Sequence, residues 1–288
     1  MKIQVITGPT ASGKTALALQ KARADTHIEI VNADASLVYK GFDIGTAKPS
    51  MAERTELHHH LIDTLEPSQS YSAADYSLAA RAVIQDIIAR GSIPIVVGGT
   101  GLYIDALFYG LATTDVDEEQ RLKARAEYDR QLAQNGFEAM LNELKPLDPV
   151  LYEQIARERN PRRLQRAWEF YLSTGTSLGE ARQQKPDPFE HLPEFIVLLP
   201  EREELRTRIV HRVDAMLTAG WLEEVQRLLE TGVNDDVPAM KSIGYQLLAK
   251  VIRGQKKLSI AREEIINQTR QYAKRQITWM KKYGNHTT

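Results

Sequence analysis

The chain has 288 residues, of which 42% are hydrophobic and 26% charged, enough for one sizeable core with a smaller attached unit. It contains no cysteine, which excludes disulfides, cysteine nucleophiles and cysteine-based zinc fingers and agrees with a reducing compartment. No apolar run approaches the length of a membrane span, and the N-terminus runs directly into a predicted strand, so we expect a cytoplasmic protein without a membrane segment.

The net charge of −1 conceals an uneven distribution. Residues 241–288 hold 11 Lys and Arg against 2 Glu, whereas residues 1–240 hold 26 basic and 36 acidic side chains. A strongly basic C-terminal segment suits a large anionic partner, although a solvated helix surface can have the same composition.

The first predicted strand and helix flank a phosphate-binding motif. Residues 2–7 read as a buried strand and residues 16–22 as a helix rich in Ala and Leu. Between them the pattern G-x-x-x-x-G-K-[ST] is complete. The loop consists of Gly8, Pro9, Thr10, Ala11, Ser12, Gly13, Lys14 and Thr15. Inward-pointing amides, the helix N-terminus and Lys14 together predict a site for linked phosphates, with Thr15 placed to hold magnesium.

The next elements predict a parallel α/β sheet. Residues 28–34 form a predicted strand that ends in Asp34, residues 72–90 an amphipathic helix, and residues 92–97 a strand followed by a glycine-rich turn at 98–101. Ligands bind at the carboxyl ends of parallel strands, so we expect the phosphate loop, Asp34 and Thr100 to converge there. We also expect the strand that ends in Asp34 to lie beside the strand of the phosphate loop.

The character of the chain changes after this point. Between residues 117 and 182 no strand pattern is present, and four helical stretches are predicted at 118–134, 136–144, 149–157 and 161–173. A strand at 195–199 returns to the sheet, followed by a long amphipathic helix bent at Gly220 and a helix over 259–281. These patterns predict a core of residues 1–116 and 190–288 and a helical insertion of residues 117–189.

Several patterns bear on the chemistry. The strand at 92–97 lacks the terminal acid that kinases use for magnesium, and the Asn-Lys-x-Asp motif of GTPases is absent, so both classes are disfavoured. Asp34 could orient a magnesium-bound water, accept a proton or be the N-cap of a helix near Ala35. Thr100 could donate to a leaving oxygen, position an acceptor or shape its turn. The three histidines at 58–60 do not share one face, which predicts a structural role rather than a metal site.

Two segments combine basic and aromatic side chains. Arginines at 157, 159, 162, 163 and 166 form a ridge followed by Trp168, and Lys274 and Arg275 precede Trp279. Basic residues beside flat rings suit RNA, whose unstacked bases need planar partners, although a surface helix with one buried aromatic side would look alike.

In their order and spacing these motifs resemble one family, the bacterial tRNA dimethylallyltransferases, also called tRNA isopentenyltransferases. The resemblance is carried by residues 8–15, 32–39, 45–49, 59–63, 71–75, 98–103, 160–167, 243–245 and 274–279. It implies a P-loop NTPase-like parallel sheet flanked by helices, with an all-helical insertion and a helical C-terminal region. It also implies transfer of a dimethylallyl group from dimethylallyl diphosphate to N6 of an adenine next to the anticodon, at position 37 of tRNA.

The resemblance further implies residue roles. Asp34 would be the general base, Thr100 would position the reactants, and the phosphate loop with Lys14, Mg²⁺ on Thr15 and Arg208 would hold the diphosphate. The anticodon stem-loop would meet Asp34, Ala35, Ser36, Leu37, Thr100, Arg121, Gln165, Arg166, Ala167, Trp168, Glu169, Lys241, Gly244, Tyr245, Lys274, Arg275 and Trp279.

One departure and three alternatives remain open at this point. The family usually has Ser directly after the aspartate, where this chain has Ala35, with Ser36 one place later. The alternatives are an isopentenyltransferase of the cytokinin type acting on AMP, ADP or ATP, a non-catalytic RNA-binding module, and a small-molecule kinase. We expect a monomer.

Overall fold

The computed structural model describes residues 1–111, 118–183 and 188–284. Its described residues contain a five-stranded, all-parallel sheet in the order β3-β2-β4-β1-β5. The strands are β1 (Lys2–Thr7), β2 (Ile28–Asn32), β3 (His59–His60), β4 (Ile93–Gly98) and β5 (Leu192–Val197). The predicted α/β class is therefore confirmed, while the two-residue strand β3 is too short for its sequence to predict.

Helices make up most of the remaining described chain. They are α1 (Lys14–Ala24), α2 (Met51–Glu56), α3 (Ala73–Ala89), α4 (Gly101–Tyr109), α5 (Glu118–Leu147), α6 (Pro149–Glu158), α7 (Pro161–Thr174), α8 (Leu178–Gln183), α9 (Arg202–Thr218), α10 (Trp221–Glu230), α11 (Tyr245–Ile252) and α12 (Leu258–Met280). The long helix predicted after residue 200 is two helices, because Gly220 adopts φ 97° between α9 and α10.

The strand order corrects one prediction. Strand β2, which leads to Asp34, does not lie beside β1, because β4 pairs with both and separates them. Glycine allows the loops after β2 and β4 to touch: a Cβ atom on Gly98 would lie 2.1 Å from the backbone of Ala33. Asp34 thus reaches the phosphate loop across the end of β4, and not as a direct neighbour.

Residues 1–108 and 189–288 form one compact unit, here called the core unit. One of its hydrophobic clusters joins helices α9 to α12 to residues 38–42, with Trp221 and Tyr245 among its fully buried members. The Glu224 carboxylate is buried in this cluster and accepts hydrogen bonds from the amides of Asp43, Ile44 and Gly45 and from the Tyr245 hydroxyl. This buried carboxylate fixes the loop that leads from Asp43 toward the phosphate site.

Residues 109–188 form a second compact unit, here called the helical unit. The sequence patterns placed its limits at 117 and 189, and residues 112–117 and 184–187 lie outside the described residues. The two helices predicted at 118–134 and 136–144 both lie within α5, where a kink at the non-helical Gly136, with φ 77°, separates them. The apolar faces of α5, α6 and α7 enclose a separate core around Met140, Ile155 and Leu164.

The histidine run lies at the sheet edge. His60 Nε2 is 2.7 Å from Glu29 Oε2, and Arg90 donates to both oxygens of the same carboxylate. The Arg90 guanidinium and the hydrogen bond with His60 outweigh burial and hold the pKa of Glu29 at about 2. Glu29, His58 and His60 bring three possible metal ligands together. Both oxygens of the Glu29 carboxylate, however, are already hydrogen-bonded to Arg90, and one of them also to His60.

No described helix is both long enough and apolar enough to cross a membrane.

Candidate active site

The phosphate-binding loop joins β1 to α1 and contains a backbone conformation that favours glycine. Gly13 immediately precedes α1 with φ 95°, in the left-handed region that favours glycine, and no side chain caps the helix. The first amides of α1 are therefore left for another acceptor. Together with the partial positive charge of the helix N-terminus they form a binding site for an anion.

Two side chains of the loop reinforce this anion site. Lys14 Nζ donates hydrogen bonds to the carbonyls of Gly8 at 3.0 Å and Pro9 at 2.8 Å. Burial lowers the pKa of Lys14 to about 8, partly opposed by the charge of Asp34 and assisted by that of Arg212. The Ser12 hydroxyl is buried and has no hydrogen-bond partner among the described residues. A bound phosphate oxygen would relieve the cost of that unpaired group.

Because burial lowers the pKa of Lys14, we expect the binding of inorganic diphosphate to depend on pH. Since the ammonium form exists below the pKa and is lost above it, affinity for inorganic diphosphate should fall about tenfold between pH 7 and pH 9. Calorimetry at constant ionic strength measures this fall. A Lys14→Arg variant keeps its charge throughout and should show a smaller decrease, which also corrects for titration of diphosphate itself. Equal pH dependence in the two proteins would exclude Lys14 as the titrating group.

Two cavities meet above the carboxyl edge of the sheet. The first, of about 180 Å³, is lined by the phosphate loop, and the second, of about 420 Å³, by aromatic, aliphatic and basic side chains. The tyrosines of the second cavity are Tyr39, Tyr71, Tyr103 and Tyr272. The residues that line both cavities are Thr10, Asp34, Thr46 and Arg212. A phosphorylated ligand in the first cavity and a flat ring in the second would therefore meet beside Asp34.

Asp34 lies two residues beyond β2 and is held on both sides. Its amide donates to Asn32 Oδ1, and Asn32 Nδ2 donates to the carbonyls of Asp34 and Leu61. Its Oδ1 accepts from the Ser36 hydroxyl at 2.7 Å and the Ser36 amide at 3.1 Å, while no described residue donates a hydrogen bond to Oδ2. Residues 35–38 form a turn and not a helix, so Asp34 closes a turn and still presents a free oxygen.

Ser36 supplies a hydroxyl beside Asp34, although the family pattern places a serine at position 35. The hydroxyl expected directly after Asp34 is absent at Ala35, and the Ser36 hydroxyl hydrogen-bonds the Asp34 carboxylate instead. The Ala35 amide donates to Thr100 Oγ1 at 3.0 Å, which ties the turn to the segment after β4.

Thr100, in the segment after β4, lies next to side chains of α12. Among them are Tyr272 and Gln276. Burial, with the nearby Asp34 charge, raises the pKa of Tyr272, so the phenol stays neutral. Thr100 thus lies between the turn after Asp34, to which it is hydrogen-bonded, and Tyr272, which lines the second cavity.

The arginine expected at the diphosphate is displaced by one helical turn. Arg208 lies on the exposed face of α9 and pairs with Glu204 at 2.6 Å. Arg212, four residues later, lines both cavities, and burial lowers its pKa against the opposing charge of Asp34. The structure thus favours Arg212 over Arg208 as the arginine that a diphosphate would contact.

The predicted RNA-contacting residues at 241–245 divide into one accessible side chain and two buried positions. Lys241 is exposed at the second cavity. Tyr245 is completely buried and donates to Glu224, and a Cβ atom on Gly244 would lie 2.2 Å from the Trp221 ring. The side chain of Tyr245 and the Cα of Gly244 therefore pack behind Trp221, which lines the second cavity, and their contact with RNA stays a prediction.

The predicted RNA-contacting residues of α12 are exposed. Lys274 and Arg275 lie on its outer face, and Arg275 also lines the second cavity. Trp279 is 37% exposed, rests over Gly101 and donates from Nε1 to Asp105 at 3.0 Å. Trp279 is thus partly committed to the protein, whereas the two basic side chains remain available to an anionic partner.

In the helical unit, two residues predicted to contact RNA belong to the core. Ala167 and Trp168 are buried, and Trp168 Nε1 donates to the carbonyl of Met140 at 3.0 Å. Gln165 donates to Glu169 at 2.7 Å on the partly buried side of α7. An amphipathic helix with one aromatic side packs that side inward, so Ala167 and Trp168 support the surface rather than form it.

Arginines of three helices cluster on the helical unit. Arg166 of α7 lies near Arg121 of α5 and Arg182 of α8, and Glu169 is the opposing charge in the group. By contrast, Arg163 pairs with Glu158, and Arg159 pairs with Glu138. Part of the predicted arginine ridge is thus neutralised, and the excess positive charge is centred on Arg166.

Sequence reasoning did not find three residues of the site, Arg212, Tyr272 and Gln276. A signal existed for Arg212, since arginines four residues apart share a helix face and either could reach a ligand. For Tyr272 and Gln276 the available signal was weaker: the spacing of four places them on one face of α12, but the pattern cannot show what that face meets.

The sheet, the phosphate loop and the cavity pair define a P-loop α/β protein with room for a second, ring-bearing ligand. Residues 37–283 match the IPP transferase family, and the chain belongs to that family, whose members are prenyl-transferring enzymes.

Relatives and solved structures of similar sequence agree with this family assignment. A tRNA dimethylallyltransferase of Deinococcus radiodurans is 42% identical over 97% of this chain and 90% of its own length. The crystal structure of a Bacillus halodurans tRNA isopentenylpyrophosphate transferase is 34% identical, with TM-score 0.69 over 100% of this chain and 88% of that one. A eukaryotic dimethylallyltransferase acting on tRNA is 30% identical, with TM-score 0.78 over 97% of this chain and 69% of that one.

Proposed function

We propose that this chain transfers a dimethylallyl group from dimethylallyl diphosphate to N6 of an adenine next to the anticodon, at position 37 of tRNA, and releases diphosphate. The observation that carries the proposal is the meeting of a phosphate cavity and an aromatic cavity at Asp34. Because its substrate would be tRNA, we place the enzyme in the cytoplasm, and we expect it to act as a monomer.

The residues of the two cavities have complementary tasks in this reaction. The N6 nitrogen attacks the first allylic carbon, the carbon–oxygen bond to the diphosphate breaks, and one N6 proton moves to the Asp34 carboxylate. The loop amides, Lys14 and Arg212 bind the departing diphosphate, whose negative charge grows in the transition state. Asp34 Oδ1 is occupied by Ser36, so Oδ2 is the oxygen that accepts the proton.

Magnesium is part of the proposal. Thr15, at the first turn of α1, lines the diphosphate cavity, and its hydroxyl is a hard oxygen donor of the kind that Mg²⁺ prefers. Mg²⁺ commonly binds through substrate phosphates, one or two protein oxygens and water, so Thr15 with a diphosphate fits the ion. When bound, the ion would help to neutralise the leaving diphosphate.

Two basic surfaces favour tRNA over a free adenine nucleotide as acceptor. The outer face of α12 presents Lys274 and Arg275, and the helical unit presents the cluster around Arg166. A mononucleotide acceptor needs neither surface, whereas an RNA stem-loop offers a long phosphate backbone to basic side chains. Extrusion of the target adenine costs a few kcal/mol, which such interactions can offset.

A prenylation assay tests the function directly. Purified protein, Mg²⁺ and labelled dimethylallyl diphosphate are mixed in parallel with unmodified tRNA and with AMP. We expect label in tRNA, mapped to an N6-modified adenine beside the anticodon. Label only in AMP would move the activity to the cytokinin type. Label in neither, with tRNA still bound, would leave a non-catalytic RNA-binding protein.

The arginine cluster gives a separate prediction for tRNA binding. Charge reversal at Arg121 and Arg166 should weaken tRNA affinity about tenfold or more and should reduce the salt dependence of binding by about one unit of slope for each phosphate that is no longer neutralised. Arg130 on α5 is a matched control, since Glu127 already pairs with it. The assay is tRNA binding measured across a salt series, and an unchanged slope in the Arg121→Glu, Arg166→Glu double variant would assign those arginines a structural role only.

A further inference from the structure

Helix α12 reaches the phosphate loop through the buried side-chain amide of Gln276. Gln276 is 5% exposed, its Oε1 accepts from the Thr10 amide at 2.8 Å, and its Nε2 donates to the Gly99 carbonyl at 2.9 Å. Thr10 belongs to the phosphate loop after β1, and Gly99 to the turn after the adjacent strand β4. One side chain therefore clamps together the loops that follow two neighbouring strands.

The fit around Gln276 leaves little freedom. A Cβ atom on Gly99 would lie 2.2 Å from Gln276 Nε2, so the helix can approach this closely only because Gly99 has no side chain. The side-chain oxygen of Gln276 faces an N–H donor and its side-chain nitrogen faces a carbonyl acceptor, which fixes the orientation of the amide. Without Gln276, the partly buried Thr10 amide and the buried Gly99 carbonyl would lose their partners.

The position of Thr10 determines what the loop presents to a ligand. Thr10 lines both cavities and is followed by Ala11, which has φ 61°, a conformation that costs energy for a residue with a side chain. The Gln276 bond fixes the Thr10 amide immediately before this strained residue, and together with the bond from the Ser12 amide to the Pro9 carbonyl it directs the amides from Ala11 to Lys14. These amides are the ones that surround the anion site.

Trp279, three residues after Gln276 and on the same face of α12, and the segment that follows it anchor the C-terminal end of the helix. Trp279 and Lys282 both donate to the Asp105 carboxylate, and the Tyr283 hydroxyl donates to its other oxygen at 2.8 Å. The outer face of α12 carries the exposed Lys274 and Arg275. The helix is thus held firmly between α4 and the phosphate loop while its basic face remains accessible.

We propose that Gln276 is a positioning residue through which α12 holds the phosphate loop in the conformation that binds diphosphate. This inference rests on the proposed function for the identity of the anion. Gln276 touches no reacting atom, and its role is to orient the loop amides that do touch the leaving group.

The test compares Gln276→Met, which keeps the length of the side chain but not its hydrogen bonds, with Gln271→Ala on the exposed face of the same helix. The full-length proteins are titrated with inorganic diphosphate in the presence of Mg²⁺ and with an anticodon stem-loop RNA, and their unfolding temperatures are recorded. We expect the Kd for diphosphate to rise about tenfold in Gln276→Met, while RNA affinity stays within about twofold and Gln271→Ala matches the wild type. A lowered unfolding temperature with unchanged diphosphate affinity would overturn the proposal.

A second pair of variants tests the clamp without relying on Gln276→Met. Gly99→Ala should displace the Gln276 amide and weaken diphosphate binding to a similar extent, since the next nearest atom, the Gly8 carbonyl oxygen, is 3.3 Å away. In a Gln276→Ala background the added methyl group has room, so the double variant should bind diphosphate as Gln276→Ala does. If the double variant instead lost diphosphate affinity by the product of the two single losses, the two residues would act independently and the clamp would be contradicted. A wild-type protein that binds no diphosphate would overturn the proposed function as well.

Discussion

Replacement of Asp34 by Asn is expected to lower the rate of prenyl transfer about 10²- to 10⁴-fold, the range that a positioned general base contributes. Asn is nearly isosteric with Asp, and its amide oxygen can still accept from the Ser36 hydroxyl and amide. What it cannot do is accept the N6 proton. Affinities for tRNA and diphosphate should therefore stay within about threefold, so that the loss appears in kcat and not in binding.

The measurement is single-turnover prenylation of tRNA at saturating substrate, with binding titrations of the same preparation. Ser36→Ala is a graded companion, because it removes one hydroxyl that orients Asp34 and leaves the carboxylate in place. It should lower the rate by much less than Asp34→Asn. A full rate in Asp34→Asn would remove Asp34 as the base, whereas equal losses in both variants would show that orientation and not basicity limits the reaction.

Replacement of Arg212 by Ala is expected to lower kcat/KM for dimethylallyl diphosphate by about 10- to 100-fold, since a hydrogen bond to a charged group contributes about 1.5–3 kcal/mol. The reason is geometric: Arg212 lines both cavities beside Asp34 and is partly buried, so its guanidinium is directed at the space that a diphosphate would fill. Arg212→Lys keeps the charge but not the forked donors, and should fall between the wild type and Arg212→Ala.

Arg208 provides a matched control for Arg212. It is the same residue type on the same helix, one turn earlier, and it pairs with Glu204 at the surface. Arg208→Ala should leave kcat/KM within about twofold of the wild type, because surface ion pairs contribute little. Steady-state kinetics with varied dimethylallyl diphosphate distinguish the two. Equal losses at both positions, or a loss at Arg208 alone, would return the diphosphate contact to the residue that the motif suggested.

The two arginines show why burial decides roles that sequence motifs leave ambiguous. A motif gives the spacing along a helix, but the ligand meets only the side chains that the packed face brings to the cavity. The same holds for Trp168 and Tyr245, which have the residue types expected for RNA contact and are buried in separate cores. Their polar atoms serve the fold, through hydrogen bonds to the Met140 carbonyl and the Glu224 carboxylate.

The turn after Asp34 shows the opposite case. Here the sequence departs from the family pattern at Ala35, but the structure still places a hydroxyl against the Asp34 carboxylate. A hydroxyl moved from position 35 to position 36 would point elsewhere on a strand or helix, where adjacent side chains diverge. Residues 35–38 form a turn, and there the Ser36 hydroxyl reaches Asp34 Oδ1 at 2.7 Å. Ala35 contributes through its amide instead, which bonds Thr100 and needs no particular side chain.

Local patterns in the amino-acid sequence were enough to predict the features that depend on neighbouring residues. The phosphate loop, the α/β alternation, the placement of Asp34 after a strand and the helices within residues 118–173 all follow from the spacing of glycine, charged and apolar residues. Such patterns act over one turn or one strand, so they hold without knowledge of the segments that pack against them.

Which distant segments meet became visible only in the folded chain. There β4 lies between β1 and β2, Arg212 and not Arg208 reaches the cavities, Tyr245 is buried against Glu224, and Gln276 bonds Thr10 across 266 positions of sequence. These outcomes depend on how helix faces pack against the sheet and against one another. Because many pairings satisfy the same local patterns, the choice among them is made by the packing of the whole core unit.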